Sequence, residues 1–386
     1  DLIPDKNVTN SIKDPFIDNP YQDEPSRTNF IDNIKVLKVE PFNSESSLIE
    51  LRKNYITPTN NWYIRNHHPV PKIDPEKYIL TLSTPLSNKT YTLQDLKTKF
   101  YKKTVLTTIQ CAGNRRKEFQ ELDKVSGLNW EGGAISTGKF SGVSLKDLIN
   151  DACDKNRFTL DYSLNLQLYG YDDPFDGSVK LNENLDLLND AIICYEMNDE
   201  DLTPDHEYPV KMILPGFSGA KNVKWLKEIK IDFKESPSTW QQGIAYKNFG
   251  PSVKSLKDIT EKMKLTTPTI EKMPVQSMIC NIKNDDNEII VEGIAYSGGG
   301  NNILRVDISL DDGETWEKAD LLEGSEQPLY EAYAWTFWSY KAKIPSNSKN
   351  VNIVCKATDI NYNTQPDSLS SIWNLRGILN NSSHRV

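Results

Sequence analysis

The chain has no Cys-x-x-Cys pair anywhere in its 386 residues, and its five cysteines (Cys111, Cys153, Cys194, Cys280, Cys355) are widely scattered. That scatter argues against a disulfide framework, a zinc ribbon or an iron–sulfur centre, and the odd count leaves at least one thiol free. No apolar run approaches the roughly 20 residues needed to cross a bilayer, so no membrane span is expected. Positive charge is also in short supply. The 45 Lys and Arg against 54 Asp and Glu give a net charge of −9, which speaks against bulk nucleic-acid binding and confines any positive field to a local patch. A start at Asp1 is consistent with processing, and the terminal Ser383-His384-Arg385-Val386 is not a peroxisomal address.

What is present is enough chain for two or three domains and a large core. Residues 1–32 are acidic, Asn- and Pro-rich and without period, so an extended arm is expected. Residues 33–255 mix short helices with non-repeating strands, the pattern of an α+β domain. Strands are expected at Tyr78–Leu82, Thr104–Gln110, Leu164–Tyr169, Ala191–Tyr195, Val210–Leu214 and Ile229–Phe233, and a helix from Val143 with Ser144 as cap. Asn61–Pro71 reads as a loop because its two prolines bar a helix. From 256 to 386 the texture changes to short alternating strands, at Ile289–Ile294, Ile303–Leu310, Ala334–Tyr340 and Val351–Ala357. A tight turn is expected at Asp311-Asp312-Gly313. This predicts an immunoglobulin-like β-sandwich, with the boundary inside Gly250–Pro268.

Cys111 is the residue that carries chemistry most directly. It ends a β-branched strand and opens into Ala112-Gly113-Asn114-Arg115-Arg116, placing a soft sulfur at a rigid strand end beside two positive charges. Thiolates bind soft or high-valent metals, and flanking guanidiniums suit an anionic substrate. The same residues also read as a buried structural cysteine beside a solvated arginine pair.

Taken with others, this block resembles the molybdenum-cofactor and dimerisation domains of the sulfite oxidase family, from about residue 60 to the last residue. The matching stretches are Arg65-Asn66-His67, Cys111–Arg116, Gly127-Leu128 with Trp130, Tyr195–Asn198, Pro215-Gly216 through Val223–Leu226, and Trp240 through Tyr246-Lys247. The C-terminal third adds Tyr296–Gly300, Gln365–Asp367 and Ile372–Gly377. The resemblance implies the sulfite oxidase fold, a mixed α/β molybdopterin-binding domain followed by the sandwich, which would pair two subunits as a homodimer. It implies molybdenum–molybdopterin as cofactor, with Cys111 as the one protein ligand to the metal, and oxidation of sulfite to sulfate by oxygen-atom transfer. Arg65, Arg116 and Arg376 would hold the substrate anion, Tyr246 would place its hydroxyl near the reacting oxygen, and Trp130 would line the pocket. Arg376 lies far along the chain from Arg65, as a strap of the second domain closing over the first would require. Tyr246 and Trp130 also read as ordinary half-buried or core aromatics.

Cofactor contacts implied by the same resemblance are Tyr63, Ile64, Arg65, Asn66, His67, Asp172, His206, Lys211, Asn222, Val223 and Lys224. Lysine and histidine suit a phosphate, and a carboxylate suits pterin N–H groups. Lys211 stands where the family pattern expects arginine, and Ser126 where it expects lysine. None of the four histidines lies in a His-Pro-Gly-Gly loop, so no haem is expected in this chain. Electrons would then pass to an external acceptor, either oxygen or a cytochrome. The resemblance places the protein in the mitochondrion, in the intermembrane space. The nearest alternative is the molybdenum domain of an assimilatory nitrate reductase, against which Arg376 argues. A non-catalytic sandwich protein would be expected to lack these residues. Nucleophilic chemistry at Cys111 with His206 or His67 as base has no triad-like local signature in its favour.

Overall fold

A computed structural model of the chain describes residues 21–22, 24–27, 34–153, 164–172, 175–181, 189–285, 288–343 and 351–386. Most of the expected 1–32 arm lies outside the described residues.

The first part of the chain builds three sheets. The largest in consequence runs Glu200–Asp201, Ile192–Met197, Ile135–Ser144, Lys102–Gln110, with Lys211–Ile213 pairing Ile192–Met197. A second runs Asn88–Thr92, Ile79–Ser83, Leu226–Asp232, Asn165–Gly170, Asp176–Lys180, with one parallel pair, between Leu226–Asp232 and Ile79–Ser83. The third is small, made of Ile34–Lys38, Asn43–Ser46 and Ile64–Arg65. The main apolar cluster, including Leu80, Leu82, Leu148, Leu168, Ile193 and Ile229, fills the space these sheets enclose. The helix Leu145–Ala152 buries Leu145, Leu148 and Ile149, the i, i+3, i+4 face of an amphipathic helix, and Ser144 Oγ accepts from Asp147 N as its cap.

Two corrections to the sequence reading concern this region. Val143 and Ser144 are strand, not the first helical residues. The strand Ile135–Ser144 is hidden in the sequence because Gly138, Ser141 and Gly142 lower its β character. The small residues are needed: a Cβ on Gly142 would strike the Ile193 backbone of the neighbouring strand, and one on Gly138 would lie 2.8 Å from the Trp62 ring. Likewise Asn61–Pro71 is not all loop. Ile64–Arg65 pairs with Asn43–Ser44, upstream of both prolines.

The second part is a sandwich of two four-stranded antiparallel sheets. Their orders are Gln276–Asp285, Glu288–Tyr296, Thr336–Lys343, Asp320–Leu321 and Glu317–Lys318, Ile303–Ser309, Val354–Asp359, His384–Arg385. Val291, Val306, Ile308, Trp338, Cys355 and Ala357 pack between them. The turn at Asp311–Gly313 forms as expected, with Asp312 at φ 60° and Gly313 at φ 98°. Among the described residues no helix is long and apolar enough to cross a membrane.

Two connections fix the site. The tail leaves the sandwich and lies across the first part: Leu379 N donates to Ala112 O (2.8 Å), Ser126 N to Leu375 O (3.2 Å), and Asn380 Nδ2 to Arg115 O (3.0 Å). At the other end, Arg27 pairs with Asp205 (2.6 Å) and Glu24 while lying over the Phe42 ring at 4.1 Å. Glu24 in turn accepts from Val70 N (2.8 Å). Residues 24–27 therefore staple the loop after Arg65 to the loop before His206. Asp205 is 4% exposed, so Arg27→Ala strands a buried carboxylate and is expected to cost about 3 kcal/mol. Chemical denaturation checks this through the unfolding midpoint; an unchanged midpoint would contradict it.

Candidate active site

The strand Lys102–Gln110 becomes buried toward its C-terminal end and delivers Cys111 half-buried at its tip. Cys111 N donates to Ala134 O (2.9 Å), and Asn114 N closes a turn back onto Cys111 O (3.0 Å). Arg115 adopts φ 61° at the start of the helix Arg116–Leu122, which sends the two arginines in different directions. Arg115 is buried, paired to Glu118 (2.7 Å) and donating to Ser382 O (2.7 Å), so it clamps the tail. The expected pair of charges beside Cys111 is thus one charge, Arg116.

Arg116 is buried in a nest of backbone. Its Nε donates to Gly377 O (3.0 Å) and its Nη1 to Leu128 O (2.9 Å). Gly127 and Gly377 make room for it: at each, a Cβ would come within 2.7 Å of an Arg116 side-chain atom, and both have positive φ (118° and 58°). Burial pulls the Arg116 pKa down to about 10; the nearby Cys111 offsets part of this, and the like charges of Arg65 and Arg376 add to it. The three guanidiniums expected from sequence therefore do converge: Arg65 and Arg376 lie within electrostatic reach of Arg116, and all three, with Cys111, within reach of Tyr246. Arg376 comes in on the tail and donates from Nε to Ala245 O (3.4 Å), one residue before Tyr246.

Cys111 opens into a cavity of about 620 Å³, counting space open to solvent, that Tyr63, Arg65, His67, Tyr246, Lys211, Asn222 and Lys224 also line. One wall is aromatic. His67 stacks on Phe175 (4.8 Å) and meets Trp240 edge-on (4.7 Å), and its Nε2 shares a hydrogen bond with Tyr246 OH (3.2 Å). Burial, then the charges of Arg65 and Lys224, hold His67 well below the usual histidine range, so the ring is neutral. Burial pushes Tyr246 up to about 12, against the pull of Arg65, so its hydroxyl keeps its proton at neutral pH.

Another part of the lining is ionic. Glu207 pairs with Lys211 through one oxygen and with Lys224 through the other (3.4 Å). Lys224 also donates to Arg65 O (2.6 Å) and to Asn66 Oδ1. Burial alone would raise the Glu207 pKa; the two ammoniums overcome it and hold the carboxyl below its usual range.

Several sequence-expected residues take other places. Trp130 is fully buried behind Tyr63 (6.5 Å, edge-on) and does not line the cavity, because its ring belongs to the apolar cluster with Ile109 and Ala134. His206 does not line it either, and its Nε2 is engaged by Thr59 O (3.0 Å). The Asn222 amide is committed to Leu214 N (2.7 Å) and Ser218 O (2.9 Å), holding the turn that lines the cavity. Ile64 and Val223 are core side chains, leaving only their backbone for a ligand. Asp172 is buried and does not line the cavity; burial lowers the Lys224 pKa, and the carboxylates of Glu207 and then Asp172 offset part of that. Sequence reading missed Glu207 and Phe175. The first carries only an unremarkable four-residue spacing to Lys211, and the second has no local signal at all.

Five cations (Arg65, Arg116, Arg376, Lys211, Lys224) thus gather in and around one cavity of a chain with net charge −9. Asn66 Nδ2 and Ser218 Oγ, beside the cavity lining, are buried without a hydrogen-bond partner. Among the described residues no group of three or more His, Cys, Asp or Glu could hold a metal ion. A metal at Cys111 would therefore depend on an anionic organic ligand for its other bonds. A thiol, spare donors and a cationic cradle fit a phosphorylated dithiolene pterin carrying molybdenum.

Comparison with known families decides the matter. The model for the oxidoreductase molybdopterin binding domain matches residues 67–240, and that for the Mo-co oxidoreductase dimerisation domain matches 266–386. Mitochondrial sulfite oxidase of Rattus norvegicus is 39% identical over 95% of this chain and 67% of its own length. The chain belongs to the sulfite oxidase family. Sulfite oxidase of Arabidopsis thaliana is 33% identical over 95% of both chains. The sulfane dehydrogenase SoxCD of Paracoccus pantotrophus shares the fold, with a TM-score of 0.74 at 22% identity over 96% of this chain and 91% of that one. Family membership brings molybdenum–molybdopterin as the cofactor, and the residues around Cys111 fit it.

Proposed function

We propose that this chain oxidises sulfite to sulfate, with sulfite and water yielding sulfate, two protons and two electrons. The observation that carries the reading is the convergence of Arg65, Arg116 and Arg376 on Cys111 and Tyr246. When bound, the molybdenum cofactor supplies oxygen-atom transfer and takes up the two electrons. Cys111 would hold the metal, Lys211 and Lys224 the phosphate, and the backbone around Ile64–His67 and Asn222–Val223 the pterin.

The chain's own part is electrostatic. A small dianion entering the cavity loses hydration, and fixed guanidiniums offset that loss with charge-assisted hydrogen bonds. Arg116 is immobilised by the Leu128 and Gly377 carbonyls, so it needs no reorganisation as charge redistributes toward the product. The tail presents Arg376 from the sandwich domain, which is the reason the second domain is needed for a site in the first. Neutral Tyr246, hydrogen-bonded to neutral His67, offers a donor that does not repel the anion. The wall of Phe175, Trp240 and His67 keeps water from one side.

The same reading divides the chain into a cofactor domain at 33–255 and a dimerisation domain at 256–386. The sandwich pairs two copies as a homodimer. It sends electrons to oxygen or to an external cytochrome, and it places the protein in the mitochondrial intermembrane space. The test is steady-state turnover: sulfite with ferricyanide is expected to support rapid reduction, and nitrate with reduced viologen dye is not. The reverse pattern would transfer the chain to nitrate reduction.

A further inference from the structure

Among the described residues that line the cavity, Glu207 is the only carboxylate. It stands in a site otherwise furnished for an anion, and its backbone is held at φ 73°, a region side-chain-bearing residues seldom occupy. The side chain is 9% exposed and divides its two oxygens between Lys211 and Lys224. Those are the two ammoniums assigned to the cofactor phosphate. The neighbouring His206 is engaged elsewhere, by Thr59 O. The phosphate end of the cavity is therefore already neutralised in part before any ligand arrives.

We propose that Glu207 is a resident counter-ion that weakens the chain's hold on the cofactor phosphate. The inference rests on the cofactor reading above. Without a guest, two buried ammoniums side by side need a counter-charge, and the carboxylate supplies it. With the guest in place, the same two ammoniums serve two anions, and carboxylate and phosphate repel across a poorly hydrated space. Burial leaves little water to screen that repulsion. A neutral residue at 207 removes it and leaves both ammoniums to the phosphate.

The experiment compares cofactor release from purified holoenzyme in wild type, Glu207→Gln, Glu207→Gly and Glu207→Asp, following released pterin by fluorescence after oxidation. This readout is independent of turnover. Gln removes the charge and keeps the backbone demand, Gly removes both, and Asp keeps the charge. Release from the Gln and Gly proteins is expected to be about tenfold slower than from wild type, with Asp close to wild type. Equal or faster release from Gln and Gly would overturn the proposal, as would failure of both to carry pterin that wild type carries; Glu207 would then be holding the lysines in place for the ligand. Absence of pterin from denatured wild type would instead sink the cofactor reading, and this inference with it.

Discussion

Arg116→Gln is expected to lower kcat/KM for sulfite by about 100- to 1,000-fold, mainly through KM, because one charge of a desolvated dianion loses its partner. Glutamine is shorter and neutral, and it leaves Leu128 O and Gly377 O without the donors that now hold them. Pterin and molybdenum content should stay near wild type, since the phosphate cations Lys211 and Lys224 line the cavity while Arg116 is held behind its lining by backbone carbonyls. The check is steady-state kinetics alongside metal and pterin analysis. Unchanged kinetics would remove Arg116 from the site. Loss of pterin with loss of activity would show that the residue holds the cofactor and not the substrate.

Cys111→Ser is expected to reduce kcat by about three orders of magnitude or more, equivalent to ~4 kcal/mol in the barrier, with little change in melting temperature. The substitution is nearly isosteric at a half-buried position, and the backbone bond from residue 111 to Ala134 O does not depend on the side chain. A neutral hydroxyl is a poor ligand for a metal already bound by soft sulfur. Stopped-flow reduction by sulfite separates this effect from binding. Activity within tenfold of wild type would return Cys111 to the role of a structural cysteine.

How far the sequence could be read depended on whether the signal was local. The strand before Cys111, the helix capped by Ser144 and four longer strands of the sandwich were legible because side-chain type and period are local properties, whereas Gln276–Asp285 was missed. The strand Ile135–Ser144 was not, because close backbone packing against Ile193 demands glycines that disguise it. In the site, the blocks holding Cys111, Arg65, Arg116 and Arg376 were legible as motifs. Their convergence was not, since Arg116 meets the carbonyl of Gly377 across 261 positions of chain. Trp130 and His206 were expected to face the ligand and instead pack in the core or hold backbone, and Asn222 lines the cavity with its amide already committed to backbone. Residue type alone does not separate a group that touches a cofactor from one that supports its neighbour. Glu207 shows the converse, a cavity-lining carboxylate whose only trace was its distance from Lys211.

The bond between the Cys111 sulfur and molybdenum is open to direct measurement by X-ray absorption at the metal edge, on wild type and Cys111→Ser holoenzyme loaded to equal metal content. The prediction is that the variant's molybdenum has one sulfur neighbour fewer than the wild type's, the pterin sulfurs remaining. Identical sulfur shells in the two proteins would contradict it, and with it the assignment of this cavity as the reaction site.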